Sequence, residues 1–214
     1  MLCLLIIFSA VSTSSAAVIG STSYGYVEKF TYGNPYSPTK IVYITGVHPL
    51  ETEFSYDVAN VVKNRSNSLN YRYIVYKVHV TKSASNYTQG RMNGQLLAQK
   101  FVVPDVIKIK PTFVFDIHEN HGASSGYKYY RFLYPISTGS YTLAIARSII
   151  YRLPSLVIYT PPNPTSPQYV TVPIAKNGTP AIIYETYHFD SASKKLSDAR
   201  KFVNAVDNTY FRNF

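Results

Sequence analysis

The feature that most constrains the fold is the alternation of strand-like and helix-like segments after residue 38. Short β-branched and aromatic runs lie at 40–46, 71–80, 112–118, 155–160 and 180–187. Helical patterns lie between them at about 51–64, 92–103 and 140–153, and a last helix is predicted at 191–211. Because parallel strands need helical crossovers, this order predicts an α/β domain with a mostly parallel, mixed central sheet flanked by helices.

The chain has 214 residues, of which 46% are hydrophobic, and this suits one core rather than two. Residues 1–17 contain a short apolar run followed by small residues, so we expect a signal peptide cleaved near Ala16 or Ala17. The protein would then be secreted or lie at the cell surface, and a membrane would be involved only if this segment stays uncleaved. Residues 18–38 are predicted to form an extended lead-in, and residues 39–214 the domain with the candidate site.

The single cysteine, Cys3, lies inside the predicted signal peptide. Disulfides and thiolate metal sites are therefore excluded from the mature chain. The net charge of +10 favours an anionic partner such as a cell-wall polymer. Nucleic acid is not expected, because the basic residues are scattered and most of the tyrosines lie in strand-like runs.

Polar side chains follow three of the predicted strands at the point where each strand ends. His48 and Glu51 follow the first strand, His118 and Asp116 lie at the end of a later one, and Glu185 ends the last. The carboxyl ends of parallel strands meet at one edge of a sheet, which is where ligands bind. We therefore expect these side chains to converge although they are far apart in sequence.

Two histidines and a carboxylate form the ligand set that catalytic zinc sites use, with a further position left open. His48, Glu51 and His118 supply such a set, and Glu185 remains as the base that takes a proton from water. His121 is an alternative third ligand, and Asp116 shares a face with His118 and could orient it. Each of these residues also has an ordinary structural interpretation, so the prediction depends on their joint placement.

The motifs Gly46-Val-His48-Pro-Leu-Glu51, Asp116-Ile-His118 and Tyr184-Glu185-Thr, in this order, resemble the zinc carboxypeptidase superfamily, including its succinylglutamate desuccinylase and aspartoacylase branch. The resemblance covers about residues 40–190. It implies Zn²⁺ bound by the same three side chains and Glu185 as general base and acid. It also implies a role for Arg91, which stands in an Arg-x-Asn context, in stabilising the oxyanion or holding a substrate carboxylate.

Two departures from the family pattern leave exopeptidase specificity open. Pro49 follows His48 where the family usually has glycine, and Asn64-Arg65 lies in the wrong place to hold a terminal carboxylate. The sequence thus predicts a secreted zinc-dependent hydrolase of amide or peptide bonds, with peptides or N-acyl amino acids as substrates. The alternative is a catalytically silent surface-binding module of the same fold, with Tyr127–Tyr134 as a candidate binding surface.

Overall fold

The computed structural model describes residues 15–137, 139–162, 164 and 166–212. Most of the predicted signal peptide lies outside these residues. Eight strands form one sheet: β1 Ser15–Thr22, β2 Gly25–Gly33, β3 Lys40–Thr45, β4 Arg72–Val80, β5 Phe113–Asn120, β6 Phe132–Pro135, β7 Val157–Ile158 and β8 Ala181–Tyr187. Within the described residues, six α-helices accompany them: α1 Glu53–Asn64, α2 Tyr87–Leu97, α3 Val103–Ile109, α4 Ser140–Arg152, α5 Thr171–Lys176 and α6 Ala192–Asp207.

The sheet is mixed, with the order β1-β2-β4-β3-β5-β8-β6-β7. Its centre, β4-β3-β5-β8, is parallel throughout. Strands β1 and β2 add to one side as an antiparallel hairpin, and β6 pairs antiparallel with β8 on the other. The predicted α/β class is therefore confirmed, and the parallel centre brings the ends of β3, β5 and β8 to one edge.

Both faces of the sheet are covered, which explains why its central strands are apolar without strict alternation. Helices α1, α4 and α6 pack on one face around a cluster that includes Tyr43, Phe115 and Phe202. The segment from α2 to α3 and helix α5 cover the other face, around Val42, Ile44 and Val114. Every residue of β5 is buried, from Phe113 to Asn120.

Two predicted segments differ from the structure. The helix expected at 92–103 begins earlier, at Tyr87, where the Asn86 side chain accepts a hydrogen bond from Gln89 N at 2.8 Å. It also continues past Pro104, because a π-helical turn precedes α3 and the proline occupies the first turn of α3, where no N–H is needed. The strand expected at 155–160 shortens to β7.

The tyrosine-rich stretch Tyr127–Tyr134 divides between core and surface. Phe132 and Leu133 are buried in β6, whereas Tyr129 and Tyr130 are exposed. Among the described residues, no helix is both long and apolar enough to cross a membrane.

Candidate active site

His48 and Glu51 lie in the tight turn that follows β3. The turn starts at Gly46, which has a φ of +79° and whose Cβ, if present, would lie 2.4 Å from the Val78 carbonyl oxygen. Only glycine is free of both strain and clash at this position. Glu51 N then donates to His48 O at 3.0 Å, and His48 Nδ1 lies 3.0 Å from Glu51 Oε2. The local turn thus brings an imidazole and a carboxylate together, and both side chains are buried.

His118 reaches the same point from β5. Its Nδ1 atom lies 3.1 Å from Nδ1 of His48, and the two ring centroids are 4.5 Å apart. On the neighbouring strand β8, Glu185 is the direct register partner of His118. Partners in a sheet project to the same side, so the four predicted side chains converge at one edge.

Asp116 contacts the far side of the His118 ring. Its Oδ1 lies 2.9 Å from His118 Nε2, and both side chains are buried, although the two atoms are not aligned as in a good hydrogen bond. Burial alone would lower the pKa of His118, but the negative charge of Asp116 outweighs it and raises this pKa to about 8. Asp116 thereby favours a proton on Nε2 and directs Nδ1 towards His48 and Glu51.

The charges of His48 and Glu51 follow from burial and from each other. Burial, with His118 next to it, lowers the pKa of His48 to about 3, so this ring is neutral. Burial would raise the pKa of Glu51, but the hydrogen bond with His48 and the nearby Arg91 lower it to about 2. At neutral pH the pair is therefore a neutral imidazole and a carboxylate, which are the forms that bind metal ions.

Arg91 enters the site from α2. Its Nη1 lies 2.8 Å from both carboxylate oxygens of Glu51, and its guanidinium carbon stands 5.0 Å over the ring centre of Tyr87. Helix α2 approaches the turn closely at Gly94, where a Cβ would lie 1.9 Å from the Val47 carbonyl oxygen. This contact fixes the distance between Arg91 and the turn.

Glu185 is buried, and its Oε2 atom has no hydrogen-bond partner among the described residues. Burial raises the pKa of Glu185 to about 7, an effect that the charge of His118 partly offsets. A buried carboxylate with an unsatisfied oxygen is costly in a core and typical of a site that takes up and releases protons.

A further buried carboxylate, Glu119, was not assigned a role from the sequence. It accepts hydrogen bonds from Phe54 N at 2.7 Å, from Lys195 Nζ at 3.0 Å and, across a 2.9 Å contact, from Nδ1 of His188. Phe54 lies in the first turn of α1, whose N-cap Thr52 makes no side-chain cap, so Glu119 caps this helix from β5. Glu119 thus ties the strand that carries His118 to the helix that follows Glu51.

The partner of Glu119, Lys195, is 2% exposed and also contacts Glu53 at 2.7 Å. It stands in the apolar stripe of α6 with Ala199 and Phe202, both buried. A lysine within such a stripe is the sequence feature from which a buried acidic partner of α6 could have been predicted.

Three residues weighed from the sequence lie outside the centre of this cluster. His121 is at its rim, with Nε2 at 3.7 Å from Glu51 Oε1 and its ring against His188 at 4.7 Å between centroids. Asn64 and Arg65 lie at the C-terminal end of α1, which is 12 residues long. That end is about 18 Å from the turn with Glu51, since a helix rises 1.5 Å per residue.

No three histidine or acidic side chains of the described residues stand in an arrangement that would coordinate one ion as they are placed. The three side chains are hydrogen-bonded to each other instead. His48 Nδ1 lies 3.0 Å from Glu51 Oε2 and 3.1 Å from His118 Nδ1. Ligand atoms around tetrahedral zinc are about 3.3 Å apart, given bonds of about 2.0–2.1 Å. The observed spacing is therefore a few tenths of an ångström too tight, and Arg91 Nη1 occupies the open face of Glu51.

The fold is shared with solved metallopeptidase structures. A metallo-carboxypeptidase from Burkholderia cenocepacia superposes with a TM-score of 0.58 at 12% identity over 92% of this chain. The tripeptide-bound cell shape determinant Csd4 of Helicobacter pylori gives a TM-score of 0.60 at 10% identity over 85%. An aspartoacylase family protein from Mesorhizobium loti gives 0.57 at 13% identity over 92%.

This chain spans 64% of the Burkholderia chain, 55% of the Helicobacter chain and 62% of the Mesorhizobium chain. No family profile and no curated protein sequence matches it. The resemblance to the zinc carboxypeptidase superfamily is thus confirmed at the level of the fold.

Proposed function

We propose that this protein is a zinc-dependent hydrolase of amide or peptide bonds, with His48, Glu51 and His118 as the metal ligands. The observation that carries the proposal is the buried meeting of these three side chains at the end of parallel strands in a carboxypeptidase-like fold. Three protein ligands and an open position are what a catalytic zinc site needs.

The residues fit the metal in their chemistry. His48 Nδ1 lies 3.0 Å from Glu51 Oε2 and 3.1 Å from His118 Nδ1, so a proton is shared among these three atoms. A divalent cation would replace this proton and offset the charge of Glu51, and Asp116 already favours the tautomer of His118 that a metal requires. Arg91 Nη1 would have to leave the open face of Glu51. A bound zinc ion would supply Lewis acidity to the carbonyl group and to the attacking water.

Glu185 is proposed as the general base and acid. With a pKa raised to about 7 by burial, it can accept a proton from water at neutral pH and pass it on to the departing amide nitrogen. The water oxygen bonds to the carbonyl carbon, the C–N bond breaks, and the amine leaves with the proton. The unpartnered Oε2 atom is free to take part in this transfer.

Arg91 is proposed to hold the negative charge that develops on the substrate. Its side chain is 22% exposed, so the guanidinium can turn from Glu51 towards a bound carbonyl or carboxylate. Tyr87 supports one face of it at 5.0 Å.

We propose peptides as the substrate class, since a tripeptide is bound in the Helicobacter structure of the same fold. The short apolar run at 2–8 supports export, which would place these peptides outside the cell. N-acyl amino acids share the bond chemistry and belong in the same substrate panel.

The test combines metal analysis with a panel of peptides and N-acyl amino acids. We expect one zinc per chain in the wild type and in Glu185→Gln, and none in His48→Ala. Glu185→Gln should lose about 10²–10⁴-fold in kcat, as expected for a missing general base. Glu28→Gln is the matched control, because Glu28 is a partly exposed carboxylate that pairs with His79 at 2.7 Å, away from the site.

A wild type that binds no zinc would contradict the proposal, as would unchanged turnover in Glu185→Gln. Stoichiometric zinc with no hydrolysis of any substrate would instead favour the silent binding module.

A further inference from the structure

The edge of the sheet opposite the candidate site is strongly basic. Here β4, β3, β5 and β8 begin, and two clefts open beside their first residues. Five cationic side chains line the two clefts, and we call them the basic edge: Lys29, Lys40, Arg72, Lys110 and Arg212. Among the described residues, neither lining contains an aspartate or a glutamate.

The first cleft encloses about 410 Å³ and holds Lys29, Lys40 and Arg72. Lys29 is neutralised by Asp105 at 2.6 Å, whereas Lys40 Nζ donates to a neutral group, the Ile109 carbonyl oxygen, at 3.4 Å. The Nε atom of Arg72 is buried and has no hydrogen-bond partner within the described part of the chain. A buried guanidinium donor without an acceptor is unfavourable, and an anion in the cleft would satisfy it.

The second cleft encloses about 490 Å³ and holds Lys110 and Arg212, both exposed, with the hydroxyl-bearing residues Thr112 and Thr179. The nearby carboxylate of Asp207 is already bonded to Asn70 and Tyr73.

The two clefts adjoin along the strand order. Arg72 and Lys40 are register partners on β4 and β3, and Lys40 N donates to Thr112 Oγ1 at 3.2 Å. Neighbouring strands are about 4.8 Å apart, so Lys40 and Arg72 stand side by side, and Lys110 comes two residues before Thr112 at the start of the next strand. A row of this kind matches a linear polymer with repeated negative groups better than a single small anion.

The buried carboxylates of the candidate site lie at the other edge of the sheet, whereas Asp105 pairs with Lys29 of the basic edge. Glu51, Asp116, Glu119 and Glu185 all lie in or beside the candidate site. The basic edge lies at the opposite ends of the parallel strands from the candidate site, so binding there leaves the site accessible.

We propose that the basic edge binds a linear acidic polymer through its phosphate or carboxylate groups. The linings of both clefts contain no aromatic ring among the described residues, so they offer no platform for stacking nucleic-acid bases. This binding is independent of the proposed hydrolysis, and it can be measured in a metal-free protein.

The test measures the affinity of the full chain for fluorescent polyphosphate and fluorescent poly-L-glutamate by anisotropy, at several salt concentrations. The double variants Lys40→Gln/Arg72→Gln and Lys110→Gln/Arg212→Gln each remove two cations from one cleft. Each should weaken binding of the preferred polymer about tenfold and lower the slope of log affinity against log salt by about 2. The preferred probe distinguishes phosphate from carboxylate as the recognised group.

The matched control is Arg147→Gln/Lys201→Gln, which removes two exposed cations from α4 and α6. Once the general effect of the lower net charge is allowed for, its affinity for the polymer should stay within about twofold of that of the wild type. Circular dichroism verifies that every variant is folded. The two edge variants change separate clefts, so either of them can be compared with the control if the other does not fold. An equal loss in control and edge variants would overturn the proposal. So would the absence of binding to both polymers, or tighter binding of a single-stranded oligonucleotide than of either.

Discussion

Replacing Lys195 by methionine should destabilise the protein, because it removes the cation that faces the buried carboxylate of Glu119. Glu119 has no exposed side-chain area, and it would keep only the contacts with Phe54 N and His188. Breaking a buried ion pair by removing one partner costs about 3–5 kcal/mol. Glu53, the second partner of Lys195, is 51% exposed and returns to water, so it adds little. We therefore expect a loss of about 3 kcal/mol.

The assay is urea unfolding of the metal-free protein at pH 7, followed by circular dichroism. A loss of about 3 kcal/mol lowers the midpoint by roughly 1–2 M for an m-value of about 2 kcal/mol/M. The matched control is Lys194→Met on the same helix, since Lys194 is 44% exposed and its partner Asp198 keeps a second cation in Arg131 at 3.6 Å. It should cost no more than about 0.5 kcal/mol.

A double variant, Glu119→Gln/Lys195→Met, checks the cause of the loss. It removes both charges, so it should lose less than the sum of the two single variants. If Lys195→Met unfolds within about 0.5 kcal/mol of the Lys194→Met control, the assignment of a buried ion pair at this junction is wrong.

Three further predictions concern the site. Asp116→Asn removes the charge beside His118 and should weaken zinc binding about 10–100-fold in a chelator competition, and unchanged affinity would contradict its positioning role. Burial raises the pKa of Glu185 from 4.5 to about 7, so the folded metal-free protein holds this proton more tightly than the unfolded chain. Its stability should therefore fall as pH rises from about 4.5 to 7, by up to about 3 kcal/mol, and Glu185→Gln should lack this fall; equal pH slopes would refute it. Gly94→Ala places a Cβ 1.9 Å from the Val47 carbonyl oxygen and should lower Tm despite the better helix propensity, whereas a higher Tm would show that α2 moves freely.

The strand positions could be predicted because the strands of the parallel centre are covered on both faces. Runs such as KIVYIT and FVFDIH have to be apolar at nearly every position, and this makes them visible in the sequence. Helix α5, with six residues, carries too little periodicity to be recognised. The helical segment from α2 to α3 continues through Pro104 because of a π-helical turn, and no local sequence pattern predicted that turn.

The placement of His48, Glu51, His118 and Glu185 at one edge followed from chain order and from the rule for parallel strands. The Glu119–Lys195 contact could not be predicted in this way, because its partners are 76 residues apart and a lysine in a helix is usually solvated. The ion pair of Arg91 with Glu51 depends on the approach of α2 at Gly94, which is a tertiary contact.

The central claim is that three side chains, two from the turn after β3 and one from β5, hold one zinc ion. The most direct measurement is anomalous diffraction at the zinc absorption edge from crystals of the full chain grown with equimolar zinc. We expect one strong peak within about 2.0–2.2 Å of His48 Nδ1, His118 Nδ1 and a carboxylate oxygen of Glu51. Well-ordered crystals with no peak at these atoms, or with zinc bound only elsewhere, would contradict the account.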